Sequence, residues 1–287
     1  MDTSLWVALG VVAALALVAA LVDGFGRLPR RRAAAVPGVA PEGEGGGCVR
    51  SGSAGPAPEQ YGRLRVCTGD LGAADWLTEP APERVMCTVA GVVAAGFSAY
   101  ARVLHPASLD GRPVPWVAVA AARGREVGPL TAWHELLGTD VDPYEAFGLE
   151  VPGLFDEAPS PGPTPPWIAE ALIPVLARHT GTPDRCWFGL WDGYGGFDFS
   201  RFPMFETPGR EKVLLSGALA DAATAVVELE ECAELPDQWW PQDRAWCLGG
   251  DVDLVSTYVG GSEELVAELL AHPGLEAHRV GPGDRVG

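Results

Sequence analysis

The 287-residue chain carries 38 Asp and Glu against 20 Lys and Arg, a formal net charge of −18. Residues 1–35 hold a net +2 and residues 36–287 therefore −20, a sign that phosphate backbones repel, so no nucleic-acid partner is expected. Six cysteines, none in a CxxC pair, are too sparse for a dense disulfide scaffold and fit a reducing compartment; three disulfides in an exported body are the alternative.

The chain opens on an uncharged segment, Thr3 to Val22, followed by Arg27, Arg30, Arg31 and Arg32. A helix of twenty residues rises about 30 Å, the thickness of a hydrocarbon core, and satisfies its own backbone hydrogen bonds. A transmembrane helix running from about Leu5 to Val22 is predicted, making the membrane a partner through residues 3–22. Because the arginines follow the segment, the positive-inside bias places them and the body in the cytoplasm, a single-pass arrangement in the cell membrane. A cleaved signal peptide and a buried core helix are the alternatives.

Residues 33–60 are rich in Gly, Pro and Ala without apolar periodicity and read as a flexible linker. Some 225 residues remain. The stretch 151–166 contains six prolines and continues neither a helix nor a central strand, so it divides the body into lobes at 61–150 and 167–287.

In the first lobe a strand is predicted at 97–104, with Phe97, Ala99, Ala101 and Val103 on one side. PVPWVAVAAARG and TAWHELLG read as short helices closed by Gly124 and Gly138. In the second lobe, PPWIAEALIPVLARHT is a helix opened by prolines, with Ile168, Leu172, Val175 and Leu176 at helical spacing and a kink expected at Pro174. RCWFGLW is a strand, DGYGG a turn, and FPMFETPGREKVLLSG a hairpin across Pro208–Gly209. ADAATAVVELEE reads as a helix. RAWCLGGDVDLVSTYV is a strand or strand pair broken at Gly249–Gly250. SEELVAELLAHPG is a helix capped by Ser262, with Leu265, Leu269 and Leu270 on a shared face, and LEAHRV is a last strand. Helices and strands mix without a strict βαβ rhythm, which predicts an α+β class with a mixed, mostly antiparallel sheet.

Asp251 and Asp253 stand two apart on the expected strand, so both carboxylates project from one face and suit a shared divalent cation; two wet-face aspartates on an edge strand are the plainer reading. Gly260–Gly261–Ser262 leads into a helix, but Glu263 and Glu264 fill its first turn and repel a phosphate. HELLG lacks the second histidine of a zinc-protease helix, and GFSAY puts Tyr100 where a nucleophile elbow needs glycine. No metal, cofactor or catalytic set is assembled from these pieces.

The aromatic residues do cluster. Trp187, Phe188, Trp191, Tyr194, Phe197, Phe199, Phe202 and Phe205 fall within nineteen residues. Rings of this size usually fill cores. The competing reading makes WDGYGGFDFSRFPMF a contact surface built on Trp191, Asp192, Tyr194 and Arg201, the composition of a protein-binding hot spot. Lysine occurs once, at Lys212, a bias that suits a high-GC genome.

GFSAYARVLHPA, HTGTPDRCWFGLWDGYG, WWPQDRAWC and DVDLVSTYVGGSEELVAELL resemble a family of uncharacterised proteins from high-GC Gram-positive bacteria. The resemblance covers most of the body, implies a shared architecture and carries over no catalytic residue. The sequence thus leads to an acidic, membrane-anchored interaction or binding module with a possible protein partner. A hydrolase or metal-dependent enzyme using Asp251 and Asp253, with Asp192, is the alternative. An immunity-type inhibitor of a basic protein is a third reading.

Overall fold

The computed structural model describes residues 55–56, 59–78, 87–138, 140–194, 197–224 and 234–287. The predicted transmembrane segment with Leu5 and Val22, its basic flank, nearly all of the linker and most of the helix expected at 220–231 lie outside them. No helix among the described residues is long and apolar enough to cross a membrane.

In chain order the strands are β1 (Gly55–Pro56), β2 (Gln60–Tyr61), β3 (Leu64–Val66), β4 (Ala99–Leu104), β5 (Ala107–Leu109), β6 (Arg112–Val114), β7 (Cys186–Trp191), β8 (Phe197–Asp198), β9 (Met204–Thr207), β10 (Arg210–Gly217), β11 (Gln238–Pro241), β12 (Cys247–Gly249), β13 (Ser256–Gly261) and β14 (Ala277–Val280). The helices are α1 (Asp75–Thr78), α2 (Val89–Val92), α3 (Trp116–Ala122), α4 (Trp133–Leu137), α5 (Pro166–Arg178) and α6 (Glu263–Ala271). Helices and antiparallel strands share the described residues, an α+β fold.

Two compact units interleave along the chain. One comprises 106–127 and 133–160; the other takes 55–105, 128–132 and 161–287, each of the described residues. The proline-rich stretch 151–166 spans one crossing between them, whereas the contiguous lobes 61–150 and 167–287 do not coincide with either unit.

In the smaller unit β5 and β6 form a hairpin whose two-residue turn, Asp110–Gly111, has φ of +52° and +71°. Positive φ at both central residues matches the right-handed twist of the strands, which is why the pair is Asp-Gly. Its core stacks Trp116 of α3, Trp133 of α4 and Phe155, with ring centroids 5.2 and 5.3 Å apart. The Trp133 indole N–H is satisfied by the Ala146 carbonyl at 3.3 Å.

The larger unit is built on a ten-stranded sheet ordered β14-β4-β13-β12-β11-β7-β10-β3-β2, with β9 added on β10, and every neighbouring pair in it is antiparallel. Alternation assigns its faces. Ala101, Val103, Phe188, Leu190, Val213, Leu215, Trp239, Leu248 and Val259 meet the buried stripes of α5 (Ile168, Leu172, Val175, Leu176) and α6 (Leu265, Val266, Leu269). The opposite face, with Tyr100, Leu214, Trp240, Cys247 and Tyr258, packs beneath Ala74, Leu77, Val89 and Val93.

Proline begins α5 at Pro166, where no intrahelical donor is required, and Pro174 sits inside the helix. Ser262 caps α6, its Oγ accepting from Leu265 N–H at 3.2 Å. Leu270, expected on the inner face of α6, is instead 36% exposed, and Val266 takes that place. Phe97 precedes β4 and packs on the face opposite Ala99, Ala101 and Val103. Asp251 and Asp253 lie in the turn joining β12 to β13, not on a strand. Of the cysteines, Cys67, Cys87, Cys186 and Cys247 are described and all are free thiols; burial, with Asp243 nearby, pushes the Cys186 thiol up to about 12.

Candidate functional site

Four of the six residues singled out in the sequence converge at one end of the large sheet. The organising group is Arg210, the first residue of β10. Its Nε donates to Asp251 Oδ2 at 3.0 Å, and its Nη2 donates to Asp251 Oδ1 and Asp253 Oδ2 at 2.8 Å each. The two aspartates share a cation, and it is a guanidinium. They reach it from the β12–β13 turn, which the bridge between Gly162 and Asp251 holds in place. Pairing with Asp251 holds the Arg210 guanidinium above its ordinary pKa. Among the described residues no three His, Cys, Asp or Glu side chains are grouped to hold a metal ion.

Arg210 also covers Trp191, its Cζ 4.8 Å from the ring centroid, a cation–π distance. Gly193 lies against the same indole: a Cβ there would fall 2.1 Å from Trp191 Cζ2, so only glycine lets the turn after β7 fold onto the ring. Tyr194 meets Trp191 edge-on at 5.1 Å. Below them Asp237 is 2% exposed. Its Oδ2 accepts from Trp191 N–H at 2.6 Å, and its Oδ1 accepts the Tyr194 hydroxyl. Burial raises the Asp237 pKa, and burial together with the Asp237 charge raises that of Tyr194. Asp192 stands in the 3-10 turn Asp192–Tyr194, and Arg201 stacks on Phe202, 4.6 Å from its centroid.

The aromatic run divides evenly: Phe188, Phe199, Phe202 and Phe205 are buried in the core, while Trp187, Trp191, Tyr194 and Phe197 are half-buried. Arg210, Asp237, Lys212 and Gln238 are the members of this cluster that sequence reasoning missed. A single lysine set inside the apolar run KVLL was the signal available for Lys212.

Most polar valences here are filled internally, so the cluster reads as a structural lock. Asp251→Ala is expected to lower the unfolding free energy by about 1–2 kcal/mol, because it removes two charge-assisted bonds from a partly exposed arginine. Asp253→Ala, whose side chain is 80% exposed, is expected to change it by no more than about 0.5 kcal/mol. Urea unfolding of the two variants checks the ranking.

An open concavity lies elsewhere, beside β14, the strand that ends the sheet among the described residues. A groove of about 680 Å³ is lined by Gly128, Pro129, Leu130 and Thr131 on one side and by Arg279, Val280, Gly281 and Asp284 on the other. Leu104 N–H bonds to the Glu276 carbonyl at 2.9 Å, which fixes the phase of the β4–β14 ladder. Antiparallel alternation then turns the N–H and C=O of Ala277 and Arg279 outward, away from β4. The facing wall is a tight turn: Gly128 N–H bonds to Thr131 Oγ1 at 2.8 Å, and Leu130 at its tip is 53% exposed. Arg102, 1% exposed on β4, pins that wall by donating to the carbonyls of Pro129 at 3.1 Å and Thr131 at 2.9 Å.

Compared with protein-family models, curated proteins and solved structures, the chain matches none.

Proposed function

We propose that the protein is a membrane-tethered docking domain whose large unit captures an extended segment of a basic partner protein at the free edge of β14. The observation that carries this reading is the groove itself. One wall offers outward main-chain donors and acceptors, the other an exposed leucine and a proline, the combination by which an added strand gains affinity from its backbone and selectivity from alternate side chains. The charge of −20 on residues 36–287 favours a basic partner and speeds its encounter. The predicted span at 3–22 would hold the domain at the inner leaflet, with residues 33–60 as its tether. An enzymatic reading through Asp251 and Asp253 is disfavoured by their engagement with Arg210.

Arg279→Pro removes an outward N–H at a position where an edge strand tolerates proline, and Leu130→Asp places a charge in the groove. Both are expected to abolish retention of the partner that co-purifies with the wild-type full chain from its own membranes, while Trp191→Ala retains it. Loss of that partner with Trp191→Ala alone would move the site to the Arg210 cluster.

A further inference from the structure

Beneath the Arg210 cluster lies the chain's only lysine, buried at 4% exposure. Lys212 on β10 and Gln238 on β11 are not on neighbouring strands; β7 runs between them. Gln238 pairs with Gly189 of β7, and Lys212, whose own β7 partner is Trp191, leans diagonally across the strand over that glycine. A Cβ at Gly189 would fall 2.9 Å from Phe205 Cζ, 3.2 Å from Lys212 Cδ and 3.6 Å from Gln238 Cβ, so the absent side chain is the passage through which the two reach each other. Lys212 Nζ then lies 3.5 Å from Gln238 Oε1, its hydrogen-bond partner among the described residues. The contact is to the oxygen, and the amide carbon lies beyond it, about 1.2 Å behind that oxygen and farther from Nζ. Gln238 is itself 1% exposed, and its Nε2 is held by the Val92 carbonyl at 3.1 Å and Cys247 Sγ at 3.9 Å, which fixes the amide plane.

We propose that Lys212 and Gln238 form an intramolecular isopeptide bond that staples β10 to β11 across β7. The Lys212 Nζ lone pair adds to Gln238 Cδ, the Cδ–Nε2 bond breaks, and Nε2 leaves as ammonia with the proton that Nζ gives up. Atoms and charge balance without an oxidant or a second substrate. A buried site suits each step. Desolvation favours the neutral, nucleophilic amine, and water that would hydrolyse the adduct is kept away. Asp237, next to Gln238 in sequence, is the neighbour whose charge acts most strongly on Lys212.

The sequence makes the test unusually clean. The chain contains no asparagine and one lysine, so loss of ammonia through an asparagine succinimide cannot occur. Intact-mass measurement of the purified full chain is expected to give a value about 17 Da below the sequence mass, the ammonia expelled. Tryptic digestion should then leave the bond after Lys212 uncut and yield a branched peptide joining residues 212 and 238. Lys212→Met and Gln238→Met should each restore the full sequence mass. A wild-type chain that keeps its full mass after prolonged incubation in the folded state overturns the proposal. So does a deficit that persists in Lys212→Met. The wild-type reading stands alone should either methionine variant fail to fold.

Discussion

Asp237→Ala is expected to lower the unfolding free energy by about 2–5 kcal/mol, the largest single-site effect in the candidate cluster. The carboxylate is almost fully buried and accepts two donors at once, the Trp191 main-chain N–H and the Tyr194 hydroxyl. Alanine leaves both without a partner, at about 1–3 kcal/mol for each donor that remains sealed from water. Asp237→Asn keeps one acceptor and should cost roughly half as much. The pH dependence carries a definite sign. Burial raises the native pKa of Asp237 above its unfolded value, so the native state binds the extra proton between the two values. Stability from this group is present at low pH and falls as pH rises from the ordinary carboxylate range through the raised native pKa. Asp237→Asn should flatten that fall. Chemical denaturation at several pH values measures both effects, and an Asp237→Ala loss under about 1 kcal/mol would mean that the two donors find water instead.

Gly249→Ala is the second large effect, expected at about 3 kcal/mol or more. β12 is an interior strand, and a Cβ at Gly249 would fall 2.5 Å from the Val92 carbonyl oxygen and 3.0 Å from its carbon. The obstacle is backbone of α2, which cannot rotate aside as a side-chain end would. The same carbonyl accepts from Gln238 Nε2, so the displacement also releases the amide that faces Lys212. Thermal unfolding of the variant, with the isopeptide mass measured beside it, separates lost packing from lost cross-linking. A melting temperature unchanged from wild type would contradict this account of how α2 rests on the sheet.

Much of the large unit was legible because its elements carry local signals. The Pro208–Gly209 hairpin, the proline start of α5, the Ser262 cap of α6 and the apolar runs of β4 and β7 are each set by residues within a few positions of one another. The cluster around Arg210 was half legible for the opposite reason. Trp191, Tyr194, Asp251 and Asp253 stand out locally, but what joins them is a guanidinium on β10 and a carboxylate before β11, contacts between residues 41 to 46 positions apart. The reading of Asp251 and Asp253 as a pair on one strand face missed both the turn that carries them and the guanidinium they hold. The β14 groove gave no sequence signal at all. An edge is defined by the strand that fails to follow it, and its wall is held by Arg102, an arginine inside an apolar strand whose partners lie 27 and 29 residues on. The Asp110–Gly111 hairpin carried its turn signal, yet its strands are three residues each, too short to show alternation.

The most direct test of the docking reading is site-specific photo-crosslinking of the full chain in its native membrane, with the probe placed in turn at Leu130, at Arg279 and at Trp191. A strand added to β14 predicts one and the same partner trapped from Leu130 and Arg279, lost when Arg279 is replaced by proline in the Leu130 probe variant, and absent from Trp191. Trapping from Trp191 with silence at the other two positions would contradict it.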